Sequence, residues 1–131
     1  MDDVTPLPGP GLIAGATTLE SKSAAVKAFV AATIHAMQDI QANPTKGLDA
    51  SIAAVPDLAA DREGQAAILD ATIASWTGPA QSSGGLGALD ADGWAASITY
   101  LSTLKTTEGV PLVPNAVTVQ DVLEEGYVPG P

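Results

Sequence analysis

The longest helical pattern in the chain runs from Ser23 to Ala42. Larger side chains recur there with a 3.6-residue period, which predicts a helix that buries one stripe. The stripe consists of Val26, Phe29, Val30, Thr33, Met37 and Ile40. Pro44 disfavours helical geometry at the residue before it, and Asn43 can cap a helix that begins at Pro44. We therefore predict that one helix leads directly into the next.

Three further stretches have helical periodicity. The first runs from Pro44 to about Ala54, with Pro56 beyond it. The second reaches Trp76 after Asp61, which has the chemistry of an N-cap. The third starts at Asp90 or Asp92 and closes near Lys105. The predicted apolar faces are Leu48 and Ile52 on the first, Ile68, Leu69, Thr72, Ile73 and Trp76 on the second, and Trp94, Ile98 and Leu101 on the third.

A short final helix is predicted from a capping signal. Thr118 is followed three positions later by Asp121, which resembles a capping box with aspartate in place of glutamate. Gly126 is the predicted stop of this helix.

The remaining stretches lack helical periodicity. Residues 1–10 hold three prolines and are predicted to be an extended lead-in. Residues 11–17 form a short apolar run between turn signals, which favours a buried strand. Residues 77–89 hold four glycines and one proline, which predicts a loop. Residues 110–115 are read as a proline-rich connection, and the final YVPGP as a tail.

Composition excludes several classes of function. The chain has 131 residues, a formal charge of -10 and only five Lys and Arg residues, so direct binding to nucleic acid is not expected. Without cysteine there is no disulfide, thiolate zinc site or cysteine nucleophile. No apolar run approaches the roughly 18 residues of a membrane span. Met1 is not followed by the basic and apolar regions of an export signal.

Individual residues offer little catalytic or metal-binding chemistry. His35 is the single histidine and meets Asp39 four residues on, a spacing that could orient an imidazole as a base. No serine stands in a nucleophile-elbow context, so an exposed helical pair is favoured. Asp90 and Asp92 resemble the start of a calcium loop, but glycine comes two positions early and the twelfth position is Leu101. We expect no catalytic residue, metal or cofactor.

Glycine and tryptophan give two further candidate ligand contacts. The glycines at 84, 85 and 87 lack the Gly-Lys-Ser/Thr that completes a phosphate loop, so a flexible connection is favoured. Trp76 and Trp94 could stack on a ligand, but tryptophans within apolar helical faces are more often part of a core.

A series of short segments, in order from Gly11 to Pro129, resembles a known family. They are GLIAGATTL, VKAFVAAT at Val26–Thr33, ANP at Ala42–Pro44, a helix ending at Trp76, LDADGW at Leu89–Trp94, LSTLK, and VLEEGYVP at Val122–Pro129. In this order and spacing they are similar to the C-terminal part of the NMT1/THI5-like substrate-binding proteins of ABC importers. That group binds thiamine-pyrimidine precursors, alkanesulfonates, taurine and nitrate.

The resemblance implies a fold and a role. The chain would be mainly α, the helix-rich C-terminal portion of a type II periplasmic-binding-protein-like α/β fold, with four to five helices and one short strand near residues 11–17. Residues 11–129 would be a single partial domain, between a lead-in at 1–10 and a tail at 130–131. The complete protein would close two lobes around a small solute outside the cell membrane and deliver it to a permease. Ligand contacts would come from Pro8–Gly11 and the loop after Trp76, with Pro10, Gly11, Trp76 and Ser82 as candidates.

The chain departs from the family pattern in three ways. Its long helix begins with Ser23-Ala24, where the family commonly has a proline-acidic pair. Family members are more than twice this length, carry an export signal and have a first portion that supplies much of the cleft. The family's enzymatic branch depends on a cysteine-rich motif, which is missing here. We therefore expect a partial member without enzymatic activity.

Two alternatives remain open. One is a self-contained acidic helical module that binds another protein through an apolar face. The other is a hydrolase or transferase that uses His35 with Asp39. If the chain is part of a larger protein, the stripe that includes Phe29 or the face around Trp76 should be incompletely covered.

Overall fold

The computed structural model describes residues 11–113 and 117–129, and these residues are mainly helical. Seven α-helices and two short 3-10 helices are found in the described ranges. The α-helices are α1 (Ala16–Ser21), α2 (Ser23–Ala42), α3 (Pro44–Ala54), α4 (Arg62–Ser75), α5 (Pro79–Gly84), α6 (Ala91–Thr103) and α7 (Val119–Val122). The 3-10 helices are Pro56–Asp61 and Glu125–Tyr127.

The predicted helix starts are confirmed by side-chain caps. Asn43 accepts the backbone N–H of Lys46 at 3.0 Å, and α2 leads directly into α3 as predicted. Asp61 and Asp90 likewise cap α4 and α6. Thr118 forms the predicted capping box with Asp121 at the start of α7. Each cap satisfies backbone N–H groups that have no partner within their own helix.

Both aspartate caps share a local pattern. Asp61 accepts the N–H of Gly64, and Asp90 accepts the N–H of Gly93, each at 2.9 Å. A Cβ at either glycine would overlap with the oxygen atoms of the capping carboxylate. The glycine at the third helical position therefore leaves room for the cap, although it lowers helix propensity.

The strand predicted at residues 11–17 is wrong. Residues 11–15 have no regular structure, and Ala16 and Thr17 already belong to α1. Leu12 and Ile13 are exposed, at 61% and 99% of their surface. A strand needs a partner for its backbone groups. In the part of the chain that the structure describes, the only β pairing is an isolated bridge between Lys105 and Pro111.

The loop predicted at residues 77–89 is wrong in part, because α5 occupies Pro79–Gly84. Gly85 and Gly87 follow with φ angles of 80° and 83°, the left-handed region that favours glycine. A short helix between the glycines thus replaces the uniform loop that composition suggested. The helix count consequently exceeds the predicted four to five.

The predicted stop at Gly126 is also wrong. Helix α7 ends at Val122, and Gly126 lies inside the 3-10 helix Glu125–Tyr127. Tyr127 is half-buried and donates its hydroxyl hydrogen to the carbonyl of Leu19 at 3.1 Å. The described part of the predicted tail is therefore anchored at Tyr127. The predicted lead-in at 1–10 and residues 130–131 lie outside the described residues.

The described residues divide into two compact units. One unit comprises residues 11–23, 89–113 and 117–127. Its best buried side chain is Ser97, at 2% exposure, midway along α6. Trp94, Ile98 and Leu101, the predicted apolar face of α6, are half-buried.

The other unit comprises residues 24–88 and 128–129. Ile34 and Leu48 are the two buried hydrophobic side chains found among all described residues. Leu48 was predicted to lie on an apolar face, whereas Ile34 lies beside the predicted stripe of α2. Gly87 approaches Ile34 so closely that a Cβ there would lie 2.7 Å from the Ile34 Cδ1 atom.

The stripe predicted for α2 is only partly covered. Val26, Val30, Thr33, Met37 and Ile40 are half-buried. Phe29 is 61% exposed, so its place in a buried stripe is wrong for this structure. On α4, Leu69 and Ile73 are half-buried while Ile68 is 59% exposed. Large apolar side chains thus remain at the surface of this unit.

Candidate functional site

A depression of about 230 Å³ is lined by residues from α2, from the segment just after α4, and from α5 and the turn that follows it, and we call it the Trp76 pocket. Its lining residues are Gln41, Trp76, Thr77, Gln81, Ser82 and Leu86. All six belong to the unit that contains residues 24–88. The pocket therefore lies within one compact unit.

The end of α4 fixes one wall of the pocket. Trp76 is the C-cap residue, and its backbone N–H donates to Ile73 O at 3.1 Å. The hydroxyl of Thr77 donates to Ala74 O at 2.8 Å, which holds Thr77 against the last turn of the helix. The helix ends in this way because carbonyls of its last turn receive donors from just beyond the helix.

Helix α5 supplies Gln81 and Ser82 to the lining. Gly78, the residue before α5, has an extended backbone with φ of -166°, and the helix begins at Pro79. Both the backbone N–H and the hydroxyl of Ser82 donate to Gly78 O, at 2.9 Å and 2.8 Å. Proline suits the first position of a helix because its φ is preset and no N–H is lost.

The side chain of Gln81, on α5, forms a hydrogen bond with the segment that follows the helix. Its Nε2 atom donates to Ala88 O at 3.0 Å, in a partly buried position. The bond spans the glycine-rich turn, which holds Leu86, another lining residue. A buried carbonyl is costly without a donor, so this contact supports the fold of the turn.

None of the described residues that line the Trp76 pocket is charged. The chain carries no Asp, Glu, Lys or Arg between Asp70 and Asp90, the stretch that supplies five of the six lining residues. Gln41, the sixth, carries a neutral amide. The pocket therefore offers an aromatic ring, amides and hydroxyls to a ligand, without an ionic partner.

Two of the four candidate residues from the sequence come together. Trp76 and Ser82 both line the Trp76 pocket. Gly11 belongs to the other compact unit and is exposed, with nothing within 4 Å of a Cβ built on it. Pro10 lies outside the described residues.

Sequence reasoning missed four lining residues: Gln41, Thr77, Gln81 and Leu86. Thr77, Gln81 and Leu86 belong to residues 77–89, the predicted loop. The resemblance implies ligand contacts from that loop but does not single out these three residues. Gln41 lies near the end of α2 without any signal in the sequence that links it to Trp76.

The structure does not bring the other candidate catalytic or metal-binding residues together in a site. His35 and Asp39 are both exposed on α2, and the structure gives no hydrogen bond between them. The Asp90 carboxylate serves as the α6 cap. Within residues 11–113 and 117–129, no group of three or more His, Cys, Asp or Glu residues is placed to hold a metal ion.

A second depression, of about 150 Å³, lies along α3, the 3-10 helix Pro56–Asp61 and α4. Its lining residues are Leu48, Ser51, Leu58, Gln65, Ile68, Leu69 and Thr72. The lining is more aliphatic than that of the Trp76 pocket and has no aromatic ring. It is a groove between helices, consistent with an apolar face that is left partly open.

Helices in the described ranges are too short or too polar to cross a membrane. No family model matches the chain, and no match to it is found among curated proteins or among solved structures.

Proposed function

We propose that the chain is the C-terminal part of a solute-binding protein of an ABC-type importer and contributes the Trp76 pocket to solute capture. The observation that carries the proposal is the convergence of Trp76 and Ser82 in one depression. Both are candidate ligand contacts that the resemblance implies. In this proposal the complete protein acts outside the cell membrane, delivers a small organic solute to a permease and performs no covalent chemistry.

The size and lining of the pocket support a small solute. Its volume of about 230 Å³ is below the roughly 300–1,000 Å³ of sites that hold drug-sized ligands. Trp76 and Leu86 give the depression an apolar surface, beside four polar side chains that can form hydrogen bonds. A solute of only a few heavy atoms fits these dimensions.

Uncovered apolar side chains support the proposal that the chain packs against further protein. Phe29 on α2 and Ile68 on α4 are 61% and 59% exposed. Burying side chains of this size contributes about 1.5–3 kcal/mol each. A binding protein with a second portion would cover such faces within its own fold.

The proposal is tested by calorimetric titration of the chain with 4-aminopyrimidine, methanesulfonate and nitrate. We expect one of these probes to bind to the wild type. The Trp76→Leu variant should lose that binding, while Trp94→Leu, a matched change in the other unit, should retain it. Equal loss in both variants, or no binding of any probe to the wild type, would contradict a solute site at Trp76.

The second candidate function is protein interaction through an apolar face, and the exposure of Phe29 is the observation that favours it. An acidic helical module would present this ring to a partner protein. Light scattering over a concentration series separates the two proposals when it is combined with the titration. An interaction module alone predicts no response to the three solutes and a change in binding partners on Phe29→Ser.

A further inference from the structure

We propose that the second depression, which we call the α3–α4 groove, binds the exposed segment at residues 11–15 of a second copy of this chain. The groove has a volume of about 150 Å³ and is lined by Leu48, Ser51, Leu58, Gln65, Ile68, Leu69 and Thr72. It shares no lining residue with the Trp76 pocket. The inference therefore goes beyond solute capture and stands independently of it.

The segment at residues 11–15 presents two adjacent apolar side chains that nothing covers. Leu12 is 61% exposed and Ile13 is 99% exposed, and no other large hydrophobic side chain among the described residues is more exposed than Ile13. At the two ends of the segment, nothing lies within 4 Å of a Cβ built on Gly11 or Gly15. The segment has no regular structure, so this pair forms an apolar projection of its own and does not belong to a helix face.

The projection leaves the chain from a fixed point. Gly15 is the N-cap of α1, and its carbonyl accepts the N–H groups of Thr18 and Leu19 at 2.9 Å and 3.1 Å. The carbonyl of Leu19 in turn accepts the hydroxyl hydrogen of Tyr127. A segment that is held at one end loses less conformational freedom when it docks than a free peptide does.

The α3–α4 groove can hold an aliphatic side chain. An apolar cavity of about 150 Å³ accepts benzene, and the side chain of leucine or isoleucine is of comparable size. Four of the lining residues are aliphatic. One of them, Ile68, is 59% exposed and would be covered by the docked segment. The contact would thus remove apolar surface from water on both copies.

The polar lining residues are compatible with a docked peptide. The hydroxyl of Ser51 donates to Gly47 O at 3.0 Å, and that of Thr72 donates to Ile68 O at 2.8 Å. Hydroxyls that already have a partner within their own helix lose less when water is removed. The half-buried Gln65 carries an amide with both donors and an acceptor, which matches the backbone groups of a segment without regular structure.

The distribution of charge favours a second copy as the occupant. Copies with a formal charge of -10 repel one another, so they can associate only where little charge is brought together. The seven described residues that line the groove are all neutral. The chain carries no Asp, Glu, Lys or Arg between Asp3 and Glu20. Docking of the segment in the groove therefore places no like charges opposite one another, whereas a basic partner would gain no ion pair from this lining.

The segment and the groove are different surfaces, so the contact is heterologous. Two copies can exchange their segments as a closed pair, or the contact can continue from one copy to the next. The contact is small, and small interfaces are typical of weak, transient association.

Light scattering of the full chain over a concentration series tests the association. We expect the average mass of the wild type to rise above that of one chain. Ile13→Ser and Ile68→Ser should each weaken association at least about tenfold, the effect of losing one buried apolar side chain. Both side chains are exposed, so neither change should unfold the chain. Phe29→Ser is the matched control, since Phe29 is 61% exposed but belongs to neither surface.

The salt dependence gives a further readout. Added salt screens the repulsion between copies, so it should strengthen a neutral apolar contact. Weaker association at higher salt would contradict such a contact.

Paramagnetic broadening in a mixed sample identifies the two surfaces. The chain has no cysteine, so Ala14→Cys carries a single spin label beside Ile13. We mix this spin-labelled chain with isotopically enriched wild type and expect broadening of the amide signals of Leu58, Ile68 and Thr72. A label at Thr107→Cys, an exposed position outside the segment, should not broaden them.

Three results would overturn the inference. The first is an average mass of one chain at every concentration. The second is a loss of association in Phe29→Ser that equals the loss in Ile13→Ser. The third is a mixed sample without broadening at the groove, the result expected if the segment docks within its own chain or if the groove takes a different partner. Each of these results leaves the titration of the Trp76 pocket to be judged separately.

Discussion

The side-chain amide of Gln81 donates to the carbonyl oxygen of Ala88 at 3.0 Å. The contact joins helix α5 to the residue just after Gly85 and Gly87, which both have a positive φ. It brings one wall of the Trp76 pocket together with the turn that carries Leu86. The pocket therefore depends on a side chain within a segment whose composition indicates only a loop.

Loss of this contact should loosen the turn. Gln81→Ala leaves the Ala88 carbonyl without its donor, and we expect a loss of about 1–3 kcal/mol in the free energy of unfolding. Gln81→Glu keeps the shape but removes the donating N–H, so it should destabilise the chain by a similar amount. Urea denaturation measures both. A Gln81→Glu variant as stable as the wild type would show that the bond does not hold the turn.

Gly87 should tolerate a side chain poorly because of Ile34. Gly87→Ala imposes a positive φ on alanine, at about 1–2 kcal/mol, and also places its Cβ 2.7 Å from Ile34 Cδ1. Gly85→Ala is the control, since it also has a positive φ but nothing lies within 4 Å of its Cβ. We expect Gly87→Ala to lower the denaturation midpoint further than Gly85→Ala.

A double-mutant cycle isolates the contact with Ile34. Ile34→Val removes the Cδ1 atom and alone should cost about 0.5–1.5 kcal/mol. In that background Gly87→Ala should cost less than it does in the wild type, because the closest atom is gone. Strict additivity of the two changes would contradict the close approach.

The cap at Asn43 should matter more for stability than the exposed ion pair of α3. Asn43→Ala removes the acceptor for the Lys46 N–H and should cost about 1 kcal/mol, whereas Asn43→Asp should retain most of the stability. Asp49 pairs with Arg62 at 2.5 Å, but both side chains are about half exposed. Asp49→Asn should therefore cost no more than about 0.5 kcal/mol. Thermal denaturation of the three variants gives the order, and a larger effect at Asp49 would contradict it.

The Asp121 carboxyl should have a pKa below its ordinary value. The hydroxyl of Thr118, and secondarily its backbone N–H, donate to the Asp121 carboxylate and lower the pKa of that group from 3.8. Because the folded pKa is depressed, the cap stabilises α7 fully above 3.8 and loses its effect as pH falls through the folded pKa. NMR titration of the carboxyl carbon measures the shift. Thr118→Ala should raise the pKa toward 3.8, and Thr118→Ser should not.

The helix starts could be predicted because their determinants are local. Asn43, Asp61 and Asp90 each cap a helix through a donor three residues away, so the sequence alone contains both partners. The strand at residues 11–17 could not be judged in this way, since a strand exists only with a partner elsewhere in the chain. The apolar run in that stretch identifies hydrophobic residues without identifying what covers them.

The residues of the site could likewise be predicted from the sequence only in part. Trp76 and Ser82 were named from the resemblance, and they lie in one pocket. Gln41 could not be named, because it lies 35 residues before Trp76 and no local signal links the two. Phe29 fits the helical stripe by spacing but is exposed. Periodicity identifies the residues of a stripe but does not show which of them remain uncovered.

The central claim is a solute site at Trp76, and the indole N–H signals of the two tryptophans test it most directly. Trp76 lines the pocket and Trp94 lies on α6, so each reports on a different compact unit. During titration with 4-aminopyrimidine, methanesulfonate and nitrate in turn, we expect one probe to shift the Trp76 signal saturably, with Trp94 unchanged. If neither signal shifts with any of the three probes, or if Trp94 alone shifts, the account is contradicted.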